Sequence, residues 1–334
     1  MSKKLIVTRS VIFLLILAFM LKIFSSLSIA MSYNANPLYN YSGYSIFEEP
    51  DNSIDVLSIG DSNVYSSIFP LVWWEKEGFT GYTWGQASQR IPETYEYLKQ
   101  IYKHQKPSIV LIDGNNLFRD KTDVDNLDSI TKAKLATIFP VISLHKNLNP
   151  HKLKNIRGNR YSVMKGYYYR KSAHKVHKKK LRMKFTRKCW NINPLSASTF
   201  AKCIHYCKSQ GSIPVLISVP NYNGWNYKKH NALQEIADKN RIDFVDLNIT
   251  LKKEINWKKD SVDGGDHLNI KGAKKTSSYL GKYLKTTYGL PDRRGDKKYK
   301  QWDDDVIEYK KLMQLDKKLR KERRLLKQNK AVGR

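Results

Sequence analysis

The sequence has few cysteines, only Cys189, Cys203 and Cys207, and this number excludes a fold held by a framework of disulfide bonds. Cys203 and Cys207 are four residues apart on a predicted helix, a spacing that two zinc ligands can have. No second Cys/His pair at metal-ligand spacing accompanies them, so we interpret both as small buried residues. We predict no structural metal and no cofactor. A chain of 334 residues has room for one sizeable α/β domain with appendages.

Lysine and arginine are missing from residue 23 to residue 74, although the chain contains 60 of them. Before this gap, residues 1–31 contain basic residues followed by about 20 mostly apolar ones, interrupted by Lys22, enough to cross a bilayer. This asymmetry predicts an uncleaved, single-pass membrane anchor with a cytoplasmic N-terminus and a domain outside the cytoplasm. The alternative is a cleaved signal peptide, because the sequence Ser28-Ile29-Ala30 has small residues where a signal peptidase requires them. Residues 32–52, rich in Asn, Tyr and Ser, are predicted as a linker.

Acidic residues are missing from residue 129 to residue 234, and the formal net charge of the chain is +30. Residues 146–188 alone contain 16 Lys and Arg, interleaved with aromatic residues. Such a run usually forms a solvated face, but beside an active site it also creates a positive potential that attracts polyanions. Basic residues with aromatics also describe nucleic-acid binding. The predicted location excludes this partner and favours teichoic-acid-type polymers, acidic polysaccharides or anionic lipids.

What the sequence does contain is an alternation of short apolar strands and amphipathic helices. Strands are predicted at residues 54–59, 82–84, 108–112, 213–219 and 242–247. Helices are predicted at residues 91–102, 196–210, 232–239 and 272–284. This alternation predicts an α/β fold in which a central parallel sheet is covered by helices on both faces, a three-layer α/β/α sandwich. We assign the domain to residues 53–290, with a basic insert at about 117–195, and residues 291–334 to a basic helical tail.

Four blocks of small and polar residues stand where predicted strands end. The first strand stops at Gly60-Asp61-Ser62, the second at Gly85 and the third at Asp113-Gly114-Asn115-Asn116. The fourth block, residues 263–269, reads Asp-Gly-Gly-Asp-His-Leu-Asn and precedes the last predicted helix of the domain. In open α/β sheets this edge carries the ligand site. In order and composition the blocks resemble those of the SGNH (GDSL-type) hydrolase superfamily, over residues 53–287.

These residue types have a definite chemistry. A serine hydroxyl needs a base to remove its proton, and His267 is the natural base for Ser62 at neutral pH. Acyl transfer then places negative charge on the former carbonyl oxygen, which must meet fixed donors. The resemblance implies that these donors are the backbone N–H groups of Ser62 and Gly85 and the side-chain amide of Asn115. Asn116 is the alternate, because the Asp-Gly-Asn-Asn run permits two alignments.

The sequence departs from the superfamily at the catalytic acid. Members usually place an aspartate three residues before the histidine, and Gly264 occupies that position here. Asp263 can serve if Gly264 and Gly265 loop out, since glycine allows the required backbone conformations. Asp266 adjoins His267, and neighbouring side chains usually diverge, so we favour Asp263. A third alternative is a Ser62–His267 dyad with a weak or missing acid.

Two hypotheses about function remain. The first is a membrane-tethered, extracytoplasmic serine esterase or O-acyltransferase that handles acyl groups, acetyl above all, on an anionic cell-surface glycopolymer through an acyl-enzyme. Similar anchored proteins take part in exopolysaccharide O-acetylation and teichoic-acid D-alanylation, so the resemblance implies a membrane-bound acyltransferase as a partner. Within the insert, we predict as substrate-binding residues Lys178, Lys179, Lys180 and Arg182. The second hypothesis is a catalytically weak or inactive protein of this fold that binds the polymer; the shifted aspartate favours it.

Overall fold

The computed structural model describes residues 3–34, 36–157, 160–174, 176 and 183–332. Its centre is a five-stranded sheet in the order β2-β1-β3-β4-β5, in which every neighbouring pair is parallel. The strands are β1 (Val56–Gly60), β2 (Gly81–Gly85), β3 (Ile109–Asp113), β4 (Ile213–Ser218) and β5 (Phe244–Asp246). The first three are buried along their whole length, as expected for a parallel sheet covered on both faces.

Helices connect the strands and cover the sheet. Before β3 the α-helices are α1 (Lys3–Ala30), α2 (Ser62–Ser67), α3 (Pro70–Glu77) and α4 (Ile91–Ile101). Between β3 and β4 they are α5 (Asp123–Ile138), α6 (Val141–Leu144) and α7 (Pro194–Ser209). The remaining ones are α8 (Tyr227–Asn240), α9 (Leu247–Thr250), α10 (Ile270–Tyr288) and α11 (Lys300–Val332). Short 3₁₀ helices occupy Pro37–Tyr39, Gly43–Glu48, Gly114–Phe118, His145–Asn147, Pro150–Arg157 and Lys297–Tyr299.

The two faces of the sheet build two hydrophobic cores, because successive strand residues point to opposite sides. Leu57, Ile59 and Val110 face one core, together with residues of α4, α7 and α8. Val56 and Leu111 face the other, together with residues of α3 and α10. The predicted three-layer α/β/α sandwich is therefore confirmed. Cys203 and Cys207 are buried on α7, in the first of these cores.

Residues 32–52, predicted as a linker, pack against the domain. Leu38, Tyr44 and Ile46 are buried in the first core, although the surrounding residues are polar enough to suggest a solvated stalk. The tail also packs on the domain over its first turns, through Trp302 and Tyr309 of α11. Both ends of the chain thus contribute to the folded unit.

A buried ionic cluster centred on Lys165 joins these peripheral segments. The Nζ atom of Lys165 donates to both carboxylate oxygens of Glu49, at 2.8 and 2.9 Å, and contacts the Tyr161 hydroxyl. It also lies 2.8 Å from a carboxylate oxygen of Asp305. Glu49 belongs to the predicted linker, Lys165 to the insert and Asp305 to α11. Since an unpaired buried charge is costly, this cluster requires the three segments to fold together.

The N-terminal helix α1 is, within the described part of the chain, the one helix long and apolar enough to cross a membrane, with a mean hydropathy of 2.4. Its first turns expose large apolar side chains, whereas Ser25 and Ser28 near its end are buried against the domain. The helix therefore has a free apolar part and a packed part, which is the form expected of a membrane anchor.

Candidate active site

Ser62 stands at the carboxyl end of β1, where it begins α2. The chain turns sharply here because Gly60 has no side chain: a Cβ would lie 2.4 Å from Val64 Cγ2 and 2.7 Å from Asp113 Cβ. Asp61 caps the helix by accepting the backbone N–H of Asn63 at 2.8 Å. This strand-turn-helix leaves the Ser62 side chain half-buried at the edge of the sheet.

The block around His267 folds back on itself through its two glycines. Gly264 has φ +78° and Gly265 has φ +119°, backbone conformations that L side chains rarely adopt. The resulting loop returns Asp263 to His267: the His267 backbone N–H donates to Asp263 Oδ1 at 2.9 Å, and ring atom Nδ1 lies 2.5 Å from Oδ2. Asp266 has no side-chain hydrogen bond or ion pair among the described residues. The structure thus brings Asp263, and not Asp266, to the imidazole.

The other ring nitrogen of His267 meets the serine. His267 Nε2 lies 2.8 Å from Ser62 Oγ, across 205 positions of sequence. The acid, imidazole and alcohol therefore form a continuous hydrogen-bonded line from Asp263 to Ser62. This is the arrangement in which an imidazole removes the hydroxyl proton while a carboxylate fixes its tautomer and stabilises the imidazolium.

Arg170 adds a positive charge beside this line, and the sequence analysis did not single it out from the other basic residues of the insert. Its Nη1 lies 3.7 Å from Asp263 Oδ2, and its guanidinium stacks 4.4 Å from the centre of the Tyr168 ring. Burial by itself raises the pKa of Asp263, but the hydrogen bonds from the His267 ring and backbone, with the charges of His267 and Arg170, outweigh it and lower that pKa from its usual value. Asp263 is therefore kept ionised as the partner of His267.

The neighbouring strand ends supply the candidates for the oxyanion hole. Gly85 pairs with Gly60 in the sheet, and a Cβ there would lie 2.9 Å from the Tyr65 ring and 3.0 Å from the Gly60 carbonyl oxygen. Asn115 is half-buried, and its Oδ1 accepts a hydrogen bond from Lys229 Nζ at 3.3 Å. This contact leaves the amide N–H groups of Asn115 for a ligand.

Asn116 differs from Asn115 in its surroundings. It is buried, and within the described residues neither its Nδ2 nor its Oδ1 has a hydrogen-bond partner. A side chain enclosed in this way is less accessible to a substrate than Asn115. The structure therefore favours Asn115 as the amide donor.

Buried charges lie beneath the site, and sequence reasoning missed their arrangement. Asp61 is fully buried and forms an ion pair with Arg119, the first basic residue after β3. Asp113 is also fully buried, and burial, followed by the negative charge of Asp61, raises its pKa well above the usual range. Burial lowers the pKa of Lys229, while the charges of Asp113 and Asp61 oppose this effect. These groups fix the loops that carry Ser62 and Asn115.

Two cavities adjoin the site. One, of about 300 Å³, reaches Gly85 and Tyr65 and has a mixed lining that includes the basic side chains of Lys146 and Lys152 and the hydroxyl of Ser32. We call it the polar cavity, because its lining is more polar than that of the second. The other, of about 290 Å³, is mostly apolar and is lined by Asn221, Trp225, Trp257 and Leu251, with seven further residues. Asn221 connects this second cavity to the nucleophile, because its Nδ2 donates to Asn63 Oδ1 at 3.0 Å. The two cavities thus approach the site from different neighbours of Ser62, one at Gly85 and one at Asn221.

The predicted substrate-binding residues Lys178, Lys179, Lys180 and Arg182 lie outside the described residues. Basic residues of the insert that are described include Arg170 at the triad and Lys146 and Lys152 at the polar cavity. Part of the positive charge predicted from the sequence therefore lies beside the site.

Comparison with known proteins gave matches among solved structures alone. No family model and no curated protein matches the sequence. In all, 26 solved chains match the structure. They include a lipase/acylhydrolase from Enterococcus faecalis, with 11% identity and a TM-score of 0.38, covering 70% of this chain and 96% of that chain. A GDSL-like lipase from Bacteroides thetaiotaomicron has 11% identity and a TM-score of 0.34, covering 69% and 87%. The psychrotrophic esterase EstA from Pseudoalteromonas sp. has 9% identity and a TM-score of 0.39, covering 71% and 100%.

The chain resembles GDSL-type hydrolases. This resemblance is carried by the four sequence blocks. Because the TM-scores lie below 0.5, the assignment of this active site rests on its own geometry.

Proposed function

We propose that this protein is a serine hydrolase of the SGNH kind that acts on ester-linked acyl groups. The observation that carries the proposal is the 2.8 Å contact between Ser62 Oγ and His267 Nε2, with His267 Nδ1 held at 2.5 Å by Asp263. A lone half-buried serine would be a poor nucleophile, whereas a serine in this line has both a base and an orienting carboxylate.

The geometry supports a definite role for each residue in the first half of the reaction, the acylation of Ser62. His267 takes the Ser62 proton as Oγ attacks the ester carbonyl carbon, and Asp263 stabilises the imidazolium. The oxyanion is met by the backbone N–H groups of Ser62 and Gly85 and by the Asn115 amide. Collapse of this intermediate breaks the ester bond, and His267 gives its proton to the leaving alcohol. An acyl group then remains on Ser62.

The second half of the reaction decides between esterase and acyltransferase. Water attacking the acyl-enzyme gives hydrolysis, and a sugar hydroxyl gives transfer; His267 serves as base in both. We propose transfer or removal of acetyl-type groups on an anionic cell-surface glycopolymer. The two cavities near the site, one reaching Gly85 and the other Asn221, support this proposal, since a transferase must accommodate a donor and an acceptor.

We place the domain outside the cytoplasm, anchored by α1. The missing Lys and Arg between residues 23 and 74 support this orientation, and the basic insert supports an anionic substrate. A membrane-bound acyltransferase that supplies the acyl group is the partner this proposal requires for transfer.

A fluorophosphonate probe tests the enzymatic part on the full-length chain in lipid nanodiscs. We expect labelling of the wild type and hydrolysis of nitrophenyl acetate, and loss of both in Ser62→Ala and His267→Ala. Ser172→Ala is the matched control, because Ser172 is an exposed serine of the insert. Labelling that persists in Ser62→Ala contradicts the proposed nucleophile. A wild type that is never labelled would favour the binding protein.

Polymer binding is tested separately. Retention on an anionic polysaccharide should weaken steeply with salt, because exposed charges are screened. Neutralising Lys178, Lys179 and Lys180 together should reduce it, while the same change at three exposed lysines of α11, Lys317, Lys318 and Lys321, serves as the control. Retention that is insensitive to salt and to the first set of changes contradicts an anionic substrate held by the insert.

A further inference from the structure

The anchor helix α1 leaves the domain at Lys22. Its Nζ donates to the Ile138 carbonyl oxygen, the end of α5, at 2.8 Å and lies 5.4 Å from the centre of the Phe139 ring. Three residues further on, Ser25 is buried, and its Oγ accepts the backbone N–H of Val141 at 3.3 Å. Before Lys22 the helix exposes an apolar surface. Because Ser25 and Ser28 pack against the domain, the part of α1 that is free to lie in lipid ends at Lys22, and not near residue 31 as the sequence alone predicts. A lysine at the end of a membrane segment places its charge at the head-group level, so Ile138 lies at that level too.

Four large apolar side chains are exposed around this exit point, and we call them the apolar collar. Leu135 and Ile138 on α5 are 43% and 51% exposed, and Leu153 and Ile156 of the 3₁₀ helix Pro150–Arg157 are 55% and 36% exposed. Leu135 and Ile138 are three residues apart and share one helix face. Clustered exposed apolar residues on a folded domain indicate a surface that is covered in the functional state.

The charge around the collar matches a phospholipid surface. Residues 132–157 contain six Lys and Arg and no acidic residue. Anionic head groups attract such segments, while their neighbouring apolar side chains enter the boundary between head groups and acyl chains.

We propose that the apolar collar rests in the head-group region of the bilayer that α1 crosses, so that the catalytic domain is docked on an anionic lipid surface. The inference rests on the proposed anchor. Continuity with α1 identifies lipid as the occupant, because Ile138 of the collar is the residue whose carbonyl oxygen binds Lys22. The described residues of 32–52, which are 32–34 and 36–52, pack against the domain through Leu38, Tyr44 and Ile46 and form no free stalk that would lift it away.

Docking has a consequence for the reaction. The polar cavity that reaches Gly85 is lined by Ser32, just after α1, and by residues 143–147 and Lys152, which lie between the two parts of the collar. With the collar on the bilayer, this cavity lies near the lipid surface. A membrane-associated, anionic acyl donor or acceptor would then reach the oxyanion hole from this side.

Site-directed spin labelling tests the docking on the full-length chain in nanodiscs of mixed phosphatidylcholine and phosphatidylglycerol. Cys189, the exposed cysteine, is replaced by serine, while Cys203 and Cys207 are buried and stay. Labels are placed one at a time at Ile138→Cys and Leu153→Cys. We expect both to be several-fold more accessible to oxygen, which concentrates in lipid, than to a water-soluble nickel chelate.

Two further positions make the outcomes distinct. Ile213→Cys is the matched control, an isoleucine with 47% exposure at the start of β4, and it should favour the nickel chelate. Leu14→Cys on α1 reports on the anchor alone. If the label at Leu14 is more accessible to oxygen, but the labels at Ile138 and Leu153 are as accessible to the nickel chelate as the label at Ile213, the docking is overturned and the anchor stands. Nickel preference at Leu14 overturns the anchor itself. Labels at Ile138 and Leu153 that neither reagent reaches would show that a protein surface covers the collar, and this also overturns the proposal.

Discussion

Asp263 binds His267 twice, once through the backbone and once through the ring. The backbone N–H donates to one carboxylate oxygen at 2.9 Å, and Nδ1 lies 2.5 Å from the other. The two contacts fix both the fold of the loop and the orientation of the imidazole. The carboxylate that orients the imidazole therefore lies four positions before the histidine, one position further away than the resemblance to the SGNH superfamily implies.

Replacing Asp263 should damage the chemistry and replacing Asp266 should not. In Asp263→Asn the amide can donate to Nδ1 and hold the wrong tautomer, so we expect kcat to fall by about 10³- to 10⁴-fold. Asp266→Asn, which removes a carboxylate that forms no hydrogen bond or ion pair among the described residues, should leave kcat nearly unchanged. Steady-state hydrolysis of nitrophenyl acetate by the full-length variants measures both. Equal losses would assign the role to neither aspartate, and a loss confined to Asp266→Asn would reverse the assignment.

Replacing Gly264 in the loop before His267 should lower activity by more than the loss of stability explains. Gly264 and Gly211 have nearly the same positive φ, +78° and +81°, and a Cβ at either meets no atom within 4 Å. Alanine at each should therefore cost a similar amount of stability, about 1–2 kcal/mol. Only Gly264→Ala should also lower kcat, because a relaxed loop withdraws Asp263 from His267. Thermal unfolding and kinetics on the pair separate the effects, and a Gly264→Ala enzyme of full activity would contradict the role of the loop.

The fold and the main elements of the site follow from local signals in the sequence. Apolar strands that end at Ser62, Gly85 and Asn115 place these residues at one sheet edge, because all neighbouring strands are parallel. His267 was identifiable because histidine is the natural base for a serine and its block resembles a known one. For Ser62, Gly85 and Asn115, a location directly after a predicted strand was enough to predict a location at this edge of the sheet.

Other features depend on contacts between distant segments, which composition does not encode. Residues 32–52 look like a stalk in isolation, yet Glu49 is buried because Lys165, 116 positions later, neutralises it. Arg170 is one of 16 basic residues between residues 146 and 188, and it differs from the others because it lies beside Asp263. Recognising either residue required knowledge of its partner.

Substitutions of Asn115 and Asn116, the two asparagines after β3, should have different effects on activity. Removing one oxyanion donor typically lowers kcat by about 10²- to 10³-fold, and we expect this for Asn115→Ala. Asn116→Ala removes a buried amide with no partner among the described residues, so its effect should appear in thermal stability with kcat largely retained. KM should change little in either variant, since the donors act on charge that develops in the transition state. A large loss of kcat in Asn116→Ala, with none in Asn115→Ala, would show that Asn116 is the oxyanion donor.

Asp113 should make the stability of the fold fall as the pH rises. In the folded protein the pKa of Asp113 is raised well above the usual value, first by burial and then by the charge of Asp61. In the unfolded chain the pKa of an aspartate is about 3.9. Between these two pKa values the folded state binds more protons, so unfolding becomes easier as the pH increases. Asp113→Asn has no proton to lose, and its thermal midpoint relative to the wild type should therefore rise from pH 4 to pH 8. Asp125→Asn is the control of opposite sign: hydrogen bonds with Thr122 lower the pKa of Asp125, so this variant should lose stability relative to the wild type as the pH rises from about 2 to about 5, and should change little above that range. Midpoint differences that do not change with pH for Asp113→Asn would show that Asp113 is ionised in the folded protein.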